Sequence, residues 1–398
     1  MGWIVVLITT LVQAIATFGI LTYPVIAPDV AARLELSPSL VGYQISIAYF
    51  WAVVSSIYCG PMIQRWGAAR TIQLCMVFVA AGCACLSFPN LISILVGSVL
   101  IGFSYGLTNP TASHLLVKYS DPNHRNLIFS IKQTGVPFGG ILAGLLAPMI
   151  TVHWGWQWAT GVVSICAILF AVTIQPWRHQ WDDDRNPQTS LIKRPFEGFE
   201  IVWRNKPLRE LMPAGLMFSM IQMSLVTFLV TYLVQEVITG KTTSEALITA
   251  GYVMAAVQIA GVTGRPIWGW IADRFGDGLA ILIMLSMVII GLSFVTTVIS
   301  PSWPLTAVYI VFFLFGLSAL GWNGVYIASI TTLTEPQQVG KVIGVTLAIS
   351  FAGVFVGPAI FSSLYPVIGS YGTTFGLFAV ISLIGGYSVY RSRRLAKR

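Results

Sequence analysis

The sequence has 398 residues, of which 56% are hydrophobic and 9% are charged, and its net charge is +8. The mean hydropathy is +0.80, and apolar runs recur along nearly the whole length, which excludes an ordinary water-soluble enzyme and indicates an integral membrane protein. Basic loops that face anionic lipid head groups explain the positive charge, so no nucleic acid partner is expected.

Apolar stretches long enough to cross a bilayer recur twelve times, since a helical crossing needs about 20 mainly apolar residues. No stretch shows the strict alternation of a transmembrane barrel strand. The sequence therefore predicts an all-α integral membrane protein with twelve transmembrane helices in two pseudo-symmetric six-helix bundles. The predicted spans are residues 3–27, 39–63, 71–88, 91–117, 127–150, 156–177, 211–234, 246–271, 279–299, 305–333, 342–368 and 373–390.

Basic residues fall mainly on one side of these spans. If the N-terminus is cytoplasmic, 18 of the 22 Lys and Arg residues lie on the inner side, and only Arg33 and Lys241 lie on the outer side. The positive-inside rule therefore predicts a multi-pass protein of the cytoplasmic membrane with both termini in the cytoplasm. The remaining two basic residues, Lys132 and Arg265, lie inside apolar stretches that carry no acidic residue at comparable depth.

A polar segment divides the chain into two halves. Residues 178–208 are rich in charged side chains, which is typical of a solvated linker, so we predict bundles at residues 1–177 and 209–398. Several residues of the two halves coincide, in the same order, when one half is shifted over the other, and this favours a parallel repeat. Matched residues include Gly102 with Gly316, Asn109 with Asn323, and Gly135 and Gly139 with Gly353 and Gly357.

The loops after the second and eighth spans carry related octapeptides. Residues 269–276 read GWIADRFG, and residues 60–67 read GPMIQRWG. Residues 269–276 resemble the signature of the major facilitator superfamily, approximately G-x-x-x-D-R-x-G, and residues 60–67 depart from it at Gln64. The resemblance covers the whole chain and implies the fold of that family and a secondary transporter without cofactor, metal or catalytic residues.

In that family the signature Asp is thought to hold its loop against a neighbouring helix terminus. The resemblance therefore implies a conformational latch in which Asp273 carries most of the interaction, because a carboxylate near a helix N-terminus is favourable by ~0.3–1 kcal/mol. The alternative is that both loops are only short basic turns retained on the inner side. The latch residues implied by the resemblance are Asp273, Arg274, Arg65, Gly269 and Gly276.

Arg265 is the most deeply placed charge in the second half. It precedes Asp273 by eight residues, which puts it ~12 Å from the inner boundary at 1.5 Å per residue. A charge at that depth costs about 2.5–3.5 kcal/mol and normally faces the protein interior, on a substrate or ion path. Gln258 lies on the same helical stripe. We therefore predict that both bind substrate; the alternative is an Arg bonded to backbone carbonyls of a broken helix.

Glycines before Arg265 indicate how its helix could pack. Gly261 and Gly264 allow either a close helix approach or a local break beside Pro266. The Arg-Pro pair is also similar to the monocarboxylate and oxalate transporters of the superfamily, in which an Arg of the eighth span is taken to bind the substrate carboxylate. The similarity is partial, because Gly261 stands where the monocarboxylate transporters have an acidic residue.

Lys132 is shallower, ~8 Å from the inner rim of the fifth span. The run QTGVPFGG at residues 133–140 follows it, and such polar, glycine-rich, proline-interrupted segments line cavities in broken helices. This predicts a substrate or gating role for Lys132 and Gln133. Snorkelling of Lys132 to the interface is the alternative. The run also departs from the antiporter motif of drug exporters, which weakens that assignment.

Polar residues in other spans complete the predicted site. Asn109 and Asn323 are related by the repeat, so we expect each half to offer one hydrogen bond to a ligand. The alternative for any of them is an interhelical contact of about 0.6 kcal/mol. The other candidates are Tyr23 and Trp322, with Gln13, Tyr43, Gln44 and Gln222 as further polar positions.

These residues favour a carrier of anions. No Asp or Glu lies deep in a span, so a carboxylate proton relay is not expected. The remaining coupling modes are a proton carried by the substrate or by His114, anion exchange and facilitated diffusion, of which a proton carried by the substrate ranks first. We predict a monomeric secondary transporter of a small organic anion, a carboxylate, that works by rocker-switch alternating access. The alternative is a drug or metabolite efflux antiporter of the same superfamily.

Overall fold

The computed structural model describes residues 2–119, 125–188, 197–335 and 338–397. Within these ranges twelve helices are long and apolar enough to cross a membrane, which confirms the number and type of the predicted spans. They are α1 (Gly2–Arg33), α2 (Pro38–Trp66), α3 (Ala68–Leu86), α4 (Leu91–Tyr119), α5 (Ile131–Trp154), α6 (Trp156–Trp181), α7 (Lys206–Val237), α8 (Thr243–Phe275), α9 (Gly278–Thr296), α10 (Leu305–Thr332), α11 (Val342–Ile368) and α12 (Tyr371–Ala396).

Several helices extend beyond the predicted apolar spans because local capping signals set their ends. α7 starts at Lys206 instead of residue 211, since the Asn205 side chain accepts a hydrogen bond from Leu208 N at 3.1 Å and Pro207 occupies the first turn. α8 starts with a capping box of Thr242 and Glu245. Hydropathy alone does not register such signals, so the predicted ends were several residues short.

The chain forms two compact units, Met1–Lys193 and Arg194–Arg398. Their division falls inside the predicted linker, of which residues 189–196 lie outside the described residues. The first unit contains α1 to α6, and the second contains α7 to α12 preceded by the short helix Glu197–Arg204. The boundaries 1–177, 178–208 and 209–398 stay predictions.

Glycines bring α1 and α5 together in the first unit. A Cβ atom on Gly135 would lie 2.5 Å from the carbonyl oxygen of Thr10, and one on Gly139 would clash with the carbonyl oxygen of Ala14. The absence of side chains at these two positions therefore lets the two helix backbones approach closely.

The second unit repeats this packing with the matched residues. A Cβ on Gly353 would clash with the carbonyl oxygen of Leu216, and one on Gly357 would lie 2.7 Å from the Cα of Met220. Gly353 and Gly357 belong to α11, and their partners belong to α7. The sequence repeat is thus a repeat of helix contacts, which explains why these glycines coincide.

Among the described spans, interruptions occur in α6 at Ile174, in α12 at Leu377 and, beside candidate residues, in α5 and α10, but not in the span that contains Pro266. The helix Arg125–Gln133 ends one residue before the helix Gly135–Trp154, so the chain breaks at Thr134 in α5. α10 consists of the helices Leu305–Ala319 and Asn323–Thr332, separated at residues 320–322. α8 is continuous, so its glycines allow a close approach of a neighbouring helix and do not mark a local break.

We expect Gly139→Ala to lower the thermal stability of the protein measurably. The added methyl group meets the α1 backbone, which must shift, and overpacking of this kind costs about 1–3 kcal/mol. Gly291→Ala is the matched control, because nothing lies within 4 Å of a Cβ at that position of α9. Melting temperatures in detergent compare the two variants, and equal values would contradict the assigned role of Gly139.

Candidate functional site

Lys132 lies in a buried polar cluster formed by three helices of the first unit. The side chain is 2% exposed. Its Nζ donates a hydrogen bond to Gln13 Oε1 on α1 at 3.2 Å and a second, short one to Asn109 Oδ1 on α4. Among the described residues no acidic side chain pairs with this ammonium. Snorkelling does not describe this arrangement, since the charge is held inside the bundle.

Two further polar groups on α1 have no partner among the described residues. Gln13 Nε2 is buried and finds no acceptor, and Thr17 Oγ1, one turn along α1, is also unpaired. An amide N–H in such a place costs about 1–3 kcal/mol when it stays unsatisfied. The cluster therefore offers donors in excess of the acceptors that surround it.

The other predicted residues of the first unit lie away from this cluster. Gln133 follows Lys132 but is exposed. Tyr23 lies ten residues beyond Gln13 on α1, about 15 Å along the axis, and lines an apolar cavity of about 250 Å³ with Gln44 and Ser98. The structure thus joins Asn109 to Lys132 and leaves Gln133 and Tyr23 apart.

Arg265 lies at the contact between α8 and the break in α10. The partly buried guanidinium donates through Nε to the carbonyl oxygen of Leu320 at 3.4 Å. Gly261 and Gly264 face Leu320 and Leu317 at the same contact. This is a bond to the backbone of a broken helix, as one interpretation of the sequence anticipated, but the broken helix is α10 and not α8.

Trp322 and Asn323 end the interruption in α10. Trp322 is buried and donates through Nε1 to Gln222 Oε1 on α7 at 3.0 Å, and its ring centroid lies 5.3 Å from that of Phe218. Asn323 is half-buried and starts the second helix of α10. Gln258 is buried on α8, two turns before Arg265. The second unit therefore gathers Arg265, Trp322 and Asn323 around one irregular backbone segment.

The loop residues assigned to the latch lie at the surface of their units. Asp273, Arg274 and Arg65 are exposed, and Asp273 makes no hydrogen bond or ion pair to another described residue. No atom lies within 4 Å of a Cβ on Gly269, while Gly276 ends α8 with φ +64°. A latch at Asp273 stays a prediction.

Comparisons with known proteins fit this architecture. The family model of the Major Facilitator Superfamily matches residues 6–329 and 249–397. The chain belongs to the Major Facilitator Superfamily. This superfamily member is accordingly a membrane transporter and not an enzyme, as the sequence predicted.

Individual relatives of this superfamily member are distant. The hexuronate transporter of Bacillus subtilis (strain 168) is 22% identical over 385 residues, which cover 92% of this chain and 88% of the relative. The gentisate transporter of Corynebacterium glutamicum is 21% identical, covering 96% and 85%. A crystal structure of a bacterial homologue of the human lysosomal transporter Spinster, inward-facing and unoccupied, has a TM-score of 0.74 at 17% identity, covering 100% and 98%.

Sequence reasoning missed a carboxylate that holds the loop before α3 of this superfamily member. Asp182, just after α6, accepts a hydrogen bond from Ala69 N at 2.7 Å, and the N–H groups at the start of α3 suit a carboxylate. A Cβ on Gly67, where φ is +98°, would clash with that carboxylate. Burial raises the pKa of Asp182. The hydrogen bonds from the backbone N–H groups of Ala69 and Arg70 lower that pKa but do not outweigh the effect of burial. The run Asp182–Asp184 in the linker was the only available signal.

The second unit has a carboxylate at the equivalent helix start. Asp277 caps α9 through Ala280 N at 3.0 Å, and Arg393 Nε donates to its other oxygen at 2.8 Å. Lys397 Nζ lies 3.3 Å from that same oxygen. Burial by itself would raise the pKa of Asp277, but the hydrogen bonds from Ala280, Arg393 and Lys397 outweigh it and lower that pKa.

We expect Asp277→Ala to destabilise the protein by about 0.5–2 kcal/mol, the usual loss for a helix N-cap. Because the folded pKa is lowered, the stabilisation is complete above the unfolded value of about 3.9 and is lost as pH falls through the folded value. Melting temperatures of wild type and variant should therefore differ from about pH 5 upward and converge in stronger acid. Asp273→Ala is the control, and an equal effect there would contradict the assignment to Asp277.

Proposed function

We propose that this transporter carries a small organic anion, recognised through a carboxylate group, across the cytoplasmic membrane. The observation that carries the proposal is the cluster of Lys132, Gln13 and Asn109. Two N–H donors of the buried ammonium bind amide oxygens, and neither amide supplies a negative charge. A third N–H donor of the ammonium and Gln13 Nε2 remain for an acceptor.

A carboxylate matches this arrangement in charge and in bonding. An isolated cation in a membrane domain is costly, and that cost falls when an anion pairs with it. The carboxylate has two oxygens with about four lone-pair positions, and these suit an ammonium together with a neutral amide N–H. A neutral or cationic substrate would leave the charge of Lys132 without compensation.

Arg265 supports the same substrate class from the second unit. Its planar guanidinium can bind a carboxylate through two parallel hydrogen bonds. The hydrogen bond from Arg265 Nε to Leu320 O is long, at 3.4 Å. We propose Trp322, Asn323 and Gln258 as its neighbours in substrate recognition.

The names of the distant relatives agree with this proposal. Hexuronates and gentisate are both carboxylates, one aliphatic and one aromatic. These relatives share only about one-fifth of their residues with this chain. Their names therefore favour a carboxylate as the shared recognition element and do not specify the rest of the substrate.

The duplicated halves suit a rocker-switch cycle, in which the substrate-binding residues face each side of the membrane in turn. We propose that a proton crosses with the substrate. The spans of the described residues provide no buried carboxylate pair for a relay, and a carboxylic acid can carry its own proton. Cytoplasmic termini, supported by the distribution of basic residues, and a monomeric state complete the proposal.

A panel of anions should raise the melting temperature of the purified transporter in detergent. A ligand that binds only the folded protein stabilises it by RT ln(1 + [L]/Kd), about 2.7 kcal/mol at 100 times Kd. We expect stabilisation by gentisate, glucuronate or benzoate at constant ionic strength, and none by neutral sugars or lipophilic cations. Stabilisation by lipophilic cations alone would overturn the proposal and favour a drug efflux antiporter.

Substitution of the two cations should separate their contributions. Arg265→Lys loses the two-point fork, and a charge-assisted bond of about 1.5–3 kcal/mol corresponds to roughly 10- to 100-fold weaker binding. Arg265→Ala should abolish uptake into proteoliposomes, and Lys132→Gln should reduce the anion-dependent melting shift without erasing it. Arg204→Ala is the control, since that arginine is 80% exposed; wild-type kinetics in Arg265→Ala would refute the site.

A further inference from the structure

A polar cavity of about 310 Å³ lies in the first unit, where α6 ends. A single water needs only about 10–15 Å³ of such space, so the cavity has room for a ligand of several atoms. Three arginines, one histidine and two aspartates line it: Arg70, Arg178, Arg185, His179, Asp182 and Asp183.

Hydrogen bonds to neighbouring helices hold the segment that forms this cavity. Tyr119 Oη on α4 donates a hydrogen bond to Gln180 O at 2.7 Å. Asn186 N donates one to Gln64 O on α2 at 2.6 Å. Between these two contacts, the carboxylate of Asp182 caps the start of α3. The segment is therefore fixed at both ends and in its middle, so its side chains are positioned before a ligand binds.

Both carboxylates of the cavity already have partners. The Asp182 side chain is 5% exposed, accepts a hydrogen bond from Ala69 N and lies 3.7 Å from Arg70 Nε. Asp183 pairs with Lys118 Nζ on α4. Because these two acids are engaged at the start of α3 and at α4, the three arginines leave the cavity with an excess of positive charge.

Two of the three arginines have no bonded partner in the part of the chain that the structure describes. The guanidinium groups of Arg178 and Arg185 make no hydrogen bond and no ion pair there. Asp182 attracts Arg178 without contact, and both arginines repel Arg70. Each guanidinium carries five N–H donors in a planar fork. The cavity thus combines like charges with donors that lack acceptors in the protein.

We propose that this cavity binds a phosphate group, carried either by the head group of an anionic phospholipid or by a soluble phosphate compound. Phosphate oxygens accept paired hydrogen bonds from guanidinium groups, and their charge relieves the repulsion between the arginines. Basic residues at the end of a span also attract anionic lipids. The site requires no carboxylate at Lys132, so it goes beyond the proposed function and does not rest on it.

Melting temperatures in a neutral detergent test the site at constant ionic strength. The probes are phosphatidylglycerol, diacylglycerol with the same acyl chains, and glycerol phosphate. We expect at least one of the two phosphate compounds to stabilise the folded protein, and diacylglycerol, which has no phosphate, to leave the melting temperature unchanged. A shift with phosphatidylglycerol alone identifies a lipid head group as the ligand, and a comparable shift with glycerol phosphate identifies a soluble compound.

Replacement of the two arginines without partners tests the assigned residues. The double variant Arg178→Gln, Arg185→Gln should bind the stabilising probe at least roughly 10-fold more weakly, since a hydrogen bond to a charged group is worth about a factor of ten or more. The matched control is Arg204→Gln with Arg394→Gln, which removes the same charge from exposed positions of the second unit. The control should bind the probe as wild type does.

Three results would overturn the site. They are no stabilisation by either phosphate compound, equal affinity in wild type and the double variant, and an equal loss in the control, which would assign the effect to net charge. Arg185→Gln alone decides the same question if the double variant does not fold, because its side chain is exposed and makes no hydrogen bond or ion pair to the described residues.

Gentisate separates this site from the proposed function. We expect gentisate to stabilise the double variant as it stabilises wild type, because its carboxylate is assigned to Lys132 and Arg265. A gentisate shift that disappears together with the phosphate shift would overturn the assignment of this cavity to phosphate. If no carboxylate stabilises any form of the protein, the proposed function fails, and a phosphate shift that depends on Arg178 and Arg185 still establishes the site.

Discussion

The interior of a membrane domain offers no water to satisfy polar groups, and this constraint governs the arrangement of the described residues. Continuous helices meet it for most of the backbone. Where the chain departs from a helix, side chains must supply the missing partners, as Arg265 and Trp268 do for the carbonyl groups of α10. Where a charge is buried, neutral oxygens must surround it, as Gln13 and Asn109 surround Lys132. The functional candidates are therefore the residues whose polar groups find their hydrogen-bond partners on another helix.

The two halves share their packing and differ in their polar chemistry. Equivalent glycines bring α5 to α1 and α11 to α7, because the backbones must approach in the same way in each bundle. The cations are not equivalent: Lys132 lies on the fifth helix of its half, whereas Arg265 lies on the second helix of the other. Duplication thus preserved the contacts that build a bundle, and the side chains suited to a ligand diverged.

Much of the fold could be predicted from the sequence, because hydropathy and helix length respond to the same bilayer thickness. Lys132 and Arg265 stood out for a related reason, since a charge in an apolar run is conspicuous. Their partners were not predictable to the same degree. Leu320 acts through its backbone, which no side-chain pattern reveals, and Trp268 resembles any aromatic residue of a membrane helix. Asp182 is 113 residues from Ala69, so only the folded chain shows that it caps α3.

Carboxylates at helix starts show how the two units reach one electrostatic solution by different routes. In the first unit the acid, Asp182, follows α6 and the base, Arg70, lies on α3, with Nε 3.7 Å from the carboxylate. In the second unit the acid, Asp277, precedes α9 and the base, Arg393, lies on α12. The charges of the pair are thus exchanged between corresponding helices. A helix N-terminus favours a carboxylate whichever segment supplies it. The absence of the signature Asp at Gln64 is therefore compatible with a carboxylate at the start of α3, because Asp182 supplies one from the segment that follows α6.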